Sequence, residues 1–125
     1  MIRGYKSLKV YQMAFQAAKD IFELTKKFPV EEKYSMTDQI RRSSRSVCIC
    51  IGEGYRKRKY PKYFSLKMTD ADGEATETTI WLDLAFASKY IASHEHSNLV
   101  NTYDEIGKML NSMADNPDRF LPRKQ

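Results

Sequence analysis

Apolar residues recur along this chain at helical rather than strand spacing. Leu8, Tyr11, Phe15, Ala18 and Phe22 step by three or four, and Val10, Ala14, Ala17, Ile21, Leu24 and Phe28 do the same alongside. At about 100° per residue, two adjoining stripes make an apolar face broad enough to meet two neighbouring helices. The pattern predicts a first helix over residues 7–27, with Ser7 as N-cap. Phe28-Pro29 closes it, because a residue before proline is pushed out of the helical region. A polar connection, 29–35, leads to a second helix over 36–53. Ser35 is its expected N-cap, and Asp38 carries the charge that suits a helix N-terminus. Gly54 fits the left-handed position beyond its last turn.

Pro61 suits the first position of a third helix over 61–92, roughly 45 Å long at about 1.5 Å per residue. Phe64, Met68, Ala71, Ala75, Thr78, Leu82, Ala85 and Phe86 should face inward, flanked by Trp81, Leu84 and Ile91. One continuous helix is expected; Gly73 and the run Ala75-Thr76-Glu77-Thr78-Thr79 lower helix propensity, so Gly73 is the place where an irregularity would fall. Residues 93–97 turn the chain. Leu99, Val100, Tyr103, Ile106, Met109, Leu110 and Met113 then mark a fourth helix over 95–116. Residues 1–6 read as a lead-in and 117–125 as a fraying tail. Four helices with short connections predict an all-α, up-down-up-down four-helix bundle, with residues 1–125 as one domain.

Composition narrows the class. With 42% apolar and 12% aromatic residues, the chain is not a disordered one. The opening residues lack the apolar core of a signal peptide, and no stretch approaches a membrane span, so a cytoplasmic protein without a membrane partner is expected. The net charge of +5 is unevenly spread: residues 41–67 hold nine basic residues and one acid, Glu53, leaving −3 for the remainder. Such a local excess points to a polyanionic partner or, more plainly, to a solubilising surface.

That charge lies on the second helix and the turn after it. Taking Ile40 as the inward direction, Ser44, Val47, Ile51 and Gly54 cluster with it, while Arg41, Arg42 and Arg45 fan across the other side. Ile49 projects among the arginines, either as a singly exposed residue or as part of a second protein surface. Arg56, Lys57, Arg58, Lys59 and Lys62 follow, interleaved with Tyr55, Tyr60 and Tyr63. Cations neutralise phosphates, and aromatic rings stack on unpaired bases or pack against the bundle. The set suits RNA or single-stranded nucleic acid better than duplex reading, for which no recognition helix is visible. Glu53 and Glu77 are expected to pair with arginines, between helices or between subunits.

Catalytic groups are sparse. There is no Gly-rich phosphate loop and no nucleophile elbow. His94 and His96 lack a third metal ligand and read as turn histidines. The stretch starting at Asp70 fails as a calcium loop, since Ala75 and Trp81 stand where glycine and a carboxylate belong. Asp70, Glu74 and Glu77 share a helical face that would hold a divalent ion for phosphodiester cleavage or, more commonly, pair with arginines. Cys48 and Cys50 point about 200° apart on a helix, which suits packed thiols rather than a disulfide or a metal site. No catalytic residue, metal or cofactor is therefore expected.

Several motifs in order resemble those of the bacterial four helix bundle protein family, also described as the 23S ribosomal RNA intervening-sequence protein family. Tyr5-Lys6-Ser7-Leu8-Lys9-Val10-Tyr11-Gln12 resembles its opening Y-x-x-L-x-V-W/Y-Q motif, and residues 24–29 with Glu32 and Tyr34 its first loop. Residues 39–47 match Q-I-R-R-A-A-x-S-I, Glu53-Gly54 the end of N-I-A-E-G, and Gly73 with Glu77 the pattern G-S-x-x-E. Cys48, Cys50, Gly52 and Glu74 depart from the family's usual proline, asparagine, alanine and serine. The resemblance implies a four-helix bundle assembled as a ring, typically a homopentamer, with genes often inside ribosomal RNA intervening sequences. A distantly similar pentameric bundle assists retroelement reverse transcriptases and binds nucleic acid. Together these readings lead to a non-enzymatic oligomeric RNA binder, with an oligomeric protein scaffold as the alternative and a metal-dependent nuclease behind both.

Overall fold

Residues 4–123 of the computed structural model are described, and within them the chain forms four α-helices and no strand. The parts of the lead-in and tail at 1–3 and 124–125 lie outside the described residues. The helices are α1 (Lys9–Thr25), α2 (Met36–Arg56), α3 (Pro61–Ala87) and α4 (Ser93–Asp115), with short 3-10 turns at Gly4–Ser7, Val30–Glu32 and Pro117–Phe120. Each helix packs on its sequence neighbours, and α1 closes on α4. Neighbours run antiparallel: Arg41 near the start of α2 reaches the end of α1, and Ser65 near the start of α3 donates to Ala114 O at the end of α4 (2.7 Å). The fold is an up-down-up-down four-helix bundle.

The core explains the arrangement. Val10, Ala14, Ala17 and Ile21 of α1 meet Ile40, Val47 and Ile51 of α2, Phe64, Met68 and Leu82 of α3, and Leu99, Ile106 and Leu110 of α4 in one cluster. The inward stripe expected for α3 is buried from Phe64 to Ala85, but Phe86 at its end is exposed, as is Leu84. Helix α3 is continuous through Gly73, so no irregularity forms there. Small residues let α2 and α3 approach closely. Ser43 Oγ and Thr78 Oγ1 share a buried hydrogen bond of 2.8 Å, and Thr78 also donates to Glu74 O.

Several helix ends differ from the sequence expectations, each for a local reason. Ser7 does not cap α1, because its hydroxyl donates to Gly4 O inside the preceding turn and Leu8 takes the cap position. Ser35 likewise gives its hydroxyl to Glu32 Oε1 (2.6 Å), and that carboxylate accepts the Met36 N–H at the start of α2. Helix α2 runs on to Arg56 with Gly54 inside it, because Gly54 is the contact point with α3 rather than a terminator. A Cβ there would lie 2.6 Å from Met68 Cε and 2.8 Å from Lys67 Cβ. Helix α3 stops at Ala87, where Lys89 takes a left-handed φ of 64°. Its N–H bonds Phe86 O and the Tyr90 N–H bonds Ala85 O, the paired closure of a Schellman turn. Helix α4 starts two residues early, with Glu95 accepting the Ala92 N–H at 2.8 Å. The tail begins as an ordered turn whose Phe120 stacks on Phe64, centroids 5.1 Å apart.

Candidate nucleic-acid interface

The turn from α2 to α3 is built by its own backbone. Lys57 N–H donates to Glu53 O, Arg58 N–H to Tyr55 O and Tyr60 N–H to Lys57 O, after which Pro61 opens α3. Arg56, Lys57, Arg58, Lys59 and Lys62 are thereby held within one tight connection, and none of them forms an ion pair among the described residues. Their neighbours are rings. The Arg58 guanidinium lies 4.2 Å from the Tyr55 centroid and also donates to Tyr55 O (3.2 Å). Lys57 Nζ sits 5.1 Å over Tyr63, and Lys59 Nζ 5.1 Å over Tyr60. Ring quadrupoles attract cations without neutralising them, so the turn keeps its full positive charge.

The bundle topology gathers more cations at this end than sequence reasoning found. Tyr5 packs against Gly52 of α2, which brings the start of α1, with Lys6 and Lys9, to the end of α2. Arg119 arrives with the turn that docks Phe120 on Phe64. Only the antiparallel order of the helices reveals this grouping, since these residues are scattered in sequence.

The three arginines of α2 are not one surface. Arg41 Nε donates to Thr25 Oγ1 (2.8 Å) and its guanidinium lies 4.5 Å from the Phe22 centroid, so it clamps α2 to the end of α1. Arg42 spans to α3, pairing with Glu74 (3.1 Å) and with Glu77. The hydrogen bonds that Arg42 donates to these two carboxylates raise its pKa well above the ordinary value. Burial works to raise Glu77, yet hydrogen bonds from Arg42 and from Trp81 Nε1 outweigh it and leave its pKa lowered. Of the three, Arg45 alone stays open, exposed beside Phe22. Expected as phosphate contacts, Arg41 and Arg42 are occupied within the chain, because their acceptors at Thr25, Glu74 and Glu77 face them across the helix contacts. Glu53 pairs not with an arginine but with Lys67, at 3.0 Å.

Ile49 is 58% exposed and lines a groove of about 550 Å³ between α1 and α2 with Tyr11, Phe15, Phe22 and Cys48. The outer stripe on α1 is thus only partly covered within the chain: Phe15 is 50% exposed, and Tyr11, Ala18 and Phe22 are half-buried. Lys19, Glu23 and Arg45 rim the groove. Burial raises the Cys48 thiol to about 11, and Cys50 is raised by the same cause, so both stay protonated at neutral pH. His96 Nε2 bonds Asp83 Oδ1 at 2.7 Å and stacks on Phe86, whereas His94 is exposed. Among the described residues, no group of three or more His, Cys, Asp or Glu side chains converges where it would hold a metal ion, and no helix is long and apolar enough to cross a membrane.

The fold and its cationic, tyrosine-bearing end define an antiparallel helical bundle with one strongly basic pole. Residues 6–112 match the model of the 23S rRNA-intervening sequence proteins, and the chain belongs to that family. It is also similar to a crystal structure of a protein with unknown function from the S23 ribosomal protein family of Bacteroides thetaiotaomicron. The two are 31% identical with a TM-score of 0.76, over 85% of this chain and 95% of the other. No curated protein matches.

Proposed function

We propose that this protein is a non-enzymatic, cytoplasmic oligomer that binds RNA through the basic pole formed by the α2–α3 turn. The observation that carries the reading is the turn itself: Arg56, Lys57, Arg58, Lys59 and Lys62 are fixed together, interleaved with tyrosines and unpaired with any described carboxylate. Like charges confined to one connection repel, and a polyanion relieves that repulsion while releasing counterions. The family name, which refers to ribosomal RNA, is consistent with this reading. The test is binding of a labelled RNA as salt is raised. Five phosphate contacts on a single strand give a slope of about −3 to −4 in log K against log salt. Reversing Lys57, Arg58 and Lys59 to glutamate abolishes binding and leaves the helical circular dichroism intact. Salt-independent binding, or binding that survives the reversal, refutes it.

Assembly into a ring, five copies by family resemblance, is supported by two uncovered apolar surfaces on different sides of the bundle. One is the α1–α2 groove with Ile49 and Phe15. The other is the outer face of α3, where Leu66, Ile80 and Leu84 are exposed directly opposite the buried stripe. Asp70 beside that face, in no ion pair among the described residues, complements Lys19 and Arg45 on the groove rim. Unlike surfaces that pair head to tail close into rings. This also favours the alternative of a protein scaffold without RNA, which predicts dissociation on Ile49→Asp and no RNA binding at low salt. A nuclease has less support, because two of the three carboxylates on the Asp70 face are bonded to Arg42.

A further inference from the structure

The α2–α3 turn and the residues flanking it hold three tyrosines, and they are not equivalent. Tyr55 and Tyr63 are half-buried, each with a cation against its ring, Arg58 at 4.2 Å and Lys57 at 5.1 Å. Their rings orient charge. Tyr60 is 55% exposed, the most open of the three, and carries Lys59 over its ring at 5.1 Å. Its backbone is fixed on both sides: the N–H donates to Lys57 O and the carbonyl accepts from Phe64 N–H, both at 3.0 Å. The ring therefore stands at the N-cap of α3, with only its two side-chain torsions left to order.

We infer that the strand bound at this pole is unpaired and that Tyr60 is the residue on which one of its bases stacks. The inference rests on the RNA reading above and narrows it to a class of partner. A stacking ring needs a base with an open face, which a duplex does not offer along its length. A duplex groove is read by a helix or a ribbon laid into it, and the turn at residues 57–60 is neither. Cations packed around one fixed aromatic platform are the arrangement by which proteins hold single strands without sequence preference. Lys59 behind the ring and a base in front of it would sandwich Tyr60, while Arg56, Lys57 and Arg58 track the neighbouring phosphates.

The test uses the full chain and three labelled probes of equal length: an unstructured oligouridylate, an RNA duplex and an abasic strand. The oligouridylate binds tightest. Tyr60→Ala weakens it about tenfold, leaves the other two probes unchanged and keeps the salt slope, because no charge is removed. Tyr60→Trp retains the affinity, which separates a lost platform from a misfolded turn. Equal binding of all three probes, or an unchanged oligouridylate affinity in Tyr60→Ala, overturns this inference while the RNA reading stands. No binding of any probe at low salt overturns both.

Discussion

The same substitution at two glycines has opposite expected signs, and the difference lies in what a methyl group would meet. At Gly54 the added Cβ falls 2.6 Å from Met68 Cε and 2.8 Å from Lys67 Cβ, where α2 lies close against α3. Gly54→Ala must push the two helices apart, and overpacking of this kind costs about 1–3 kcal/mol. At Gly73 nothing lies within 4 Å of the added carbon, and the residue is helical and exposed. Gly73→Ala removes backbone freedom from the unfolded chain and should stabilise by about 0.5–1 kcal/mol. Thermal unfolding separates the two: each kcal/mol moves Tm by about 3–5 °C for a chain of this size, downward for Gly54→Ala and upward for Gly73→Ala. Neither environment was legible in the sequence. Gly-Glu-Gly before a basic run reads as a helix stop, yet Glu53, Tyr55 and Arg56 sustain the helix and the glycine serves a contact with residues 13 or 14 positions further on. Arg41 and Arg42 escaped sequence reading for the same reason. A helical wheel gives the direction of a side chain but not the Thr25, Glu74 or Glu77 that stands opposite it.

Element cores were legible and element ends were not. Apolar spacing of three and four is imposed by the helix itself, so the buried stripes of α1, α3 and α4 could be read directly, as could the turn that gathers Arg56 to Lys62. Ends depend on caps, and here unusual residues make them: Leu8 before α1, Ala92 before α4 and Lys89 after α3. The Schellman turn at Lys89 normally calls for glycine, because an L side chain in the left-handed region crowds its own carbonyl. Lys89 is exposed and in no ion pair among the described residues, so it gains nothing visible in exchange. Lys89→Gly should therefore stabilise the protein by about 1 kcal/mol, read as a higher midpoint in urea at unchanged m. A fall in the midpoint would mean that the lysine side chain stabilises the turn by a contact of its own. The broad face of α1 carries the matching lesson for surfaces. Its width is evident in the sequence, but only the packed bundle separates the buried half, Val10 to Ile21, from the half that lines the groove.

At the scale of the whole molecule, charge is arranged end to end. The pole with the α2–α3 turn is cationic, while the opposite end ties its charges across the connections: Lys27 to Glu95, Tyr90 to Glu32 and His96 to Asp83. That arrangement fixes how stability depends on pH. The hydrogen bond from Lys27, then that from the Ala92 N–H, lowers the Glu95 pKa, and bonds from Ser35 and Tyr90 lower that of Glu32. A carboxylate with a lowered folded pKa contributes stability above its unfolded value, near 4.3, and loses it as pH falls through the folded one. The alkaline side is set by acids that burial keeps neutral. Cys48 is raised to about 11, and Tyr103, buried with its hydroxyl unpartnered, is raised further by desolvation and then by nearby Cys48 and Asp20. The unfolded thiol ionises near 8.5, so above that pH the unfolded chain gains a thiolate that the folded one refuses, and stability declines. Tm should thus be flat between about pH 5 and 8 and fall on both sides. Glu95→Gln keeps the cap on Ala92 but removes the titration, and should shallow the acid limb. Cys48→Ala should lower Tm at neutral pH through lost packing yet shallow the alkaline fall, leaving the part due to Cys50 and the tyrosines. If Cys48→Ala left the steepness of that fall unchanged, the buried Cys48 thiol would not be its cause.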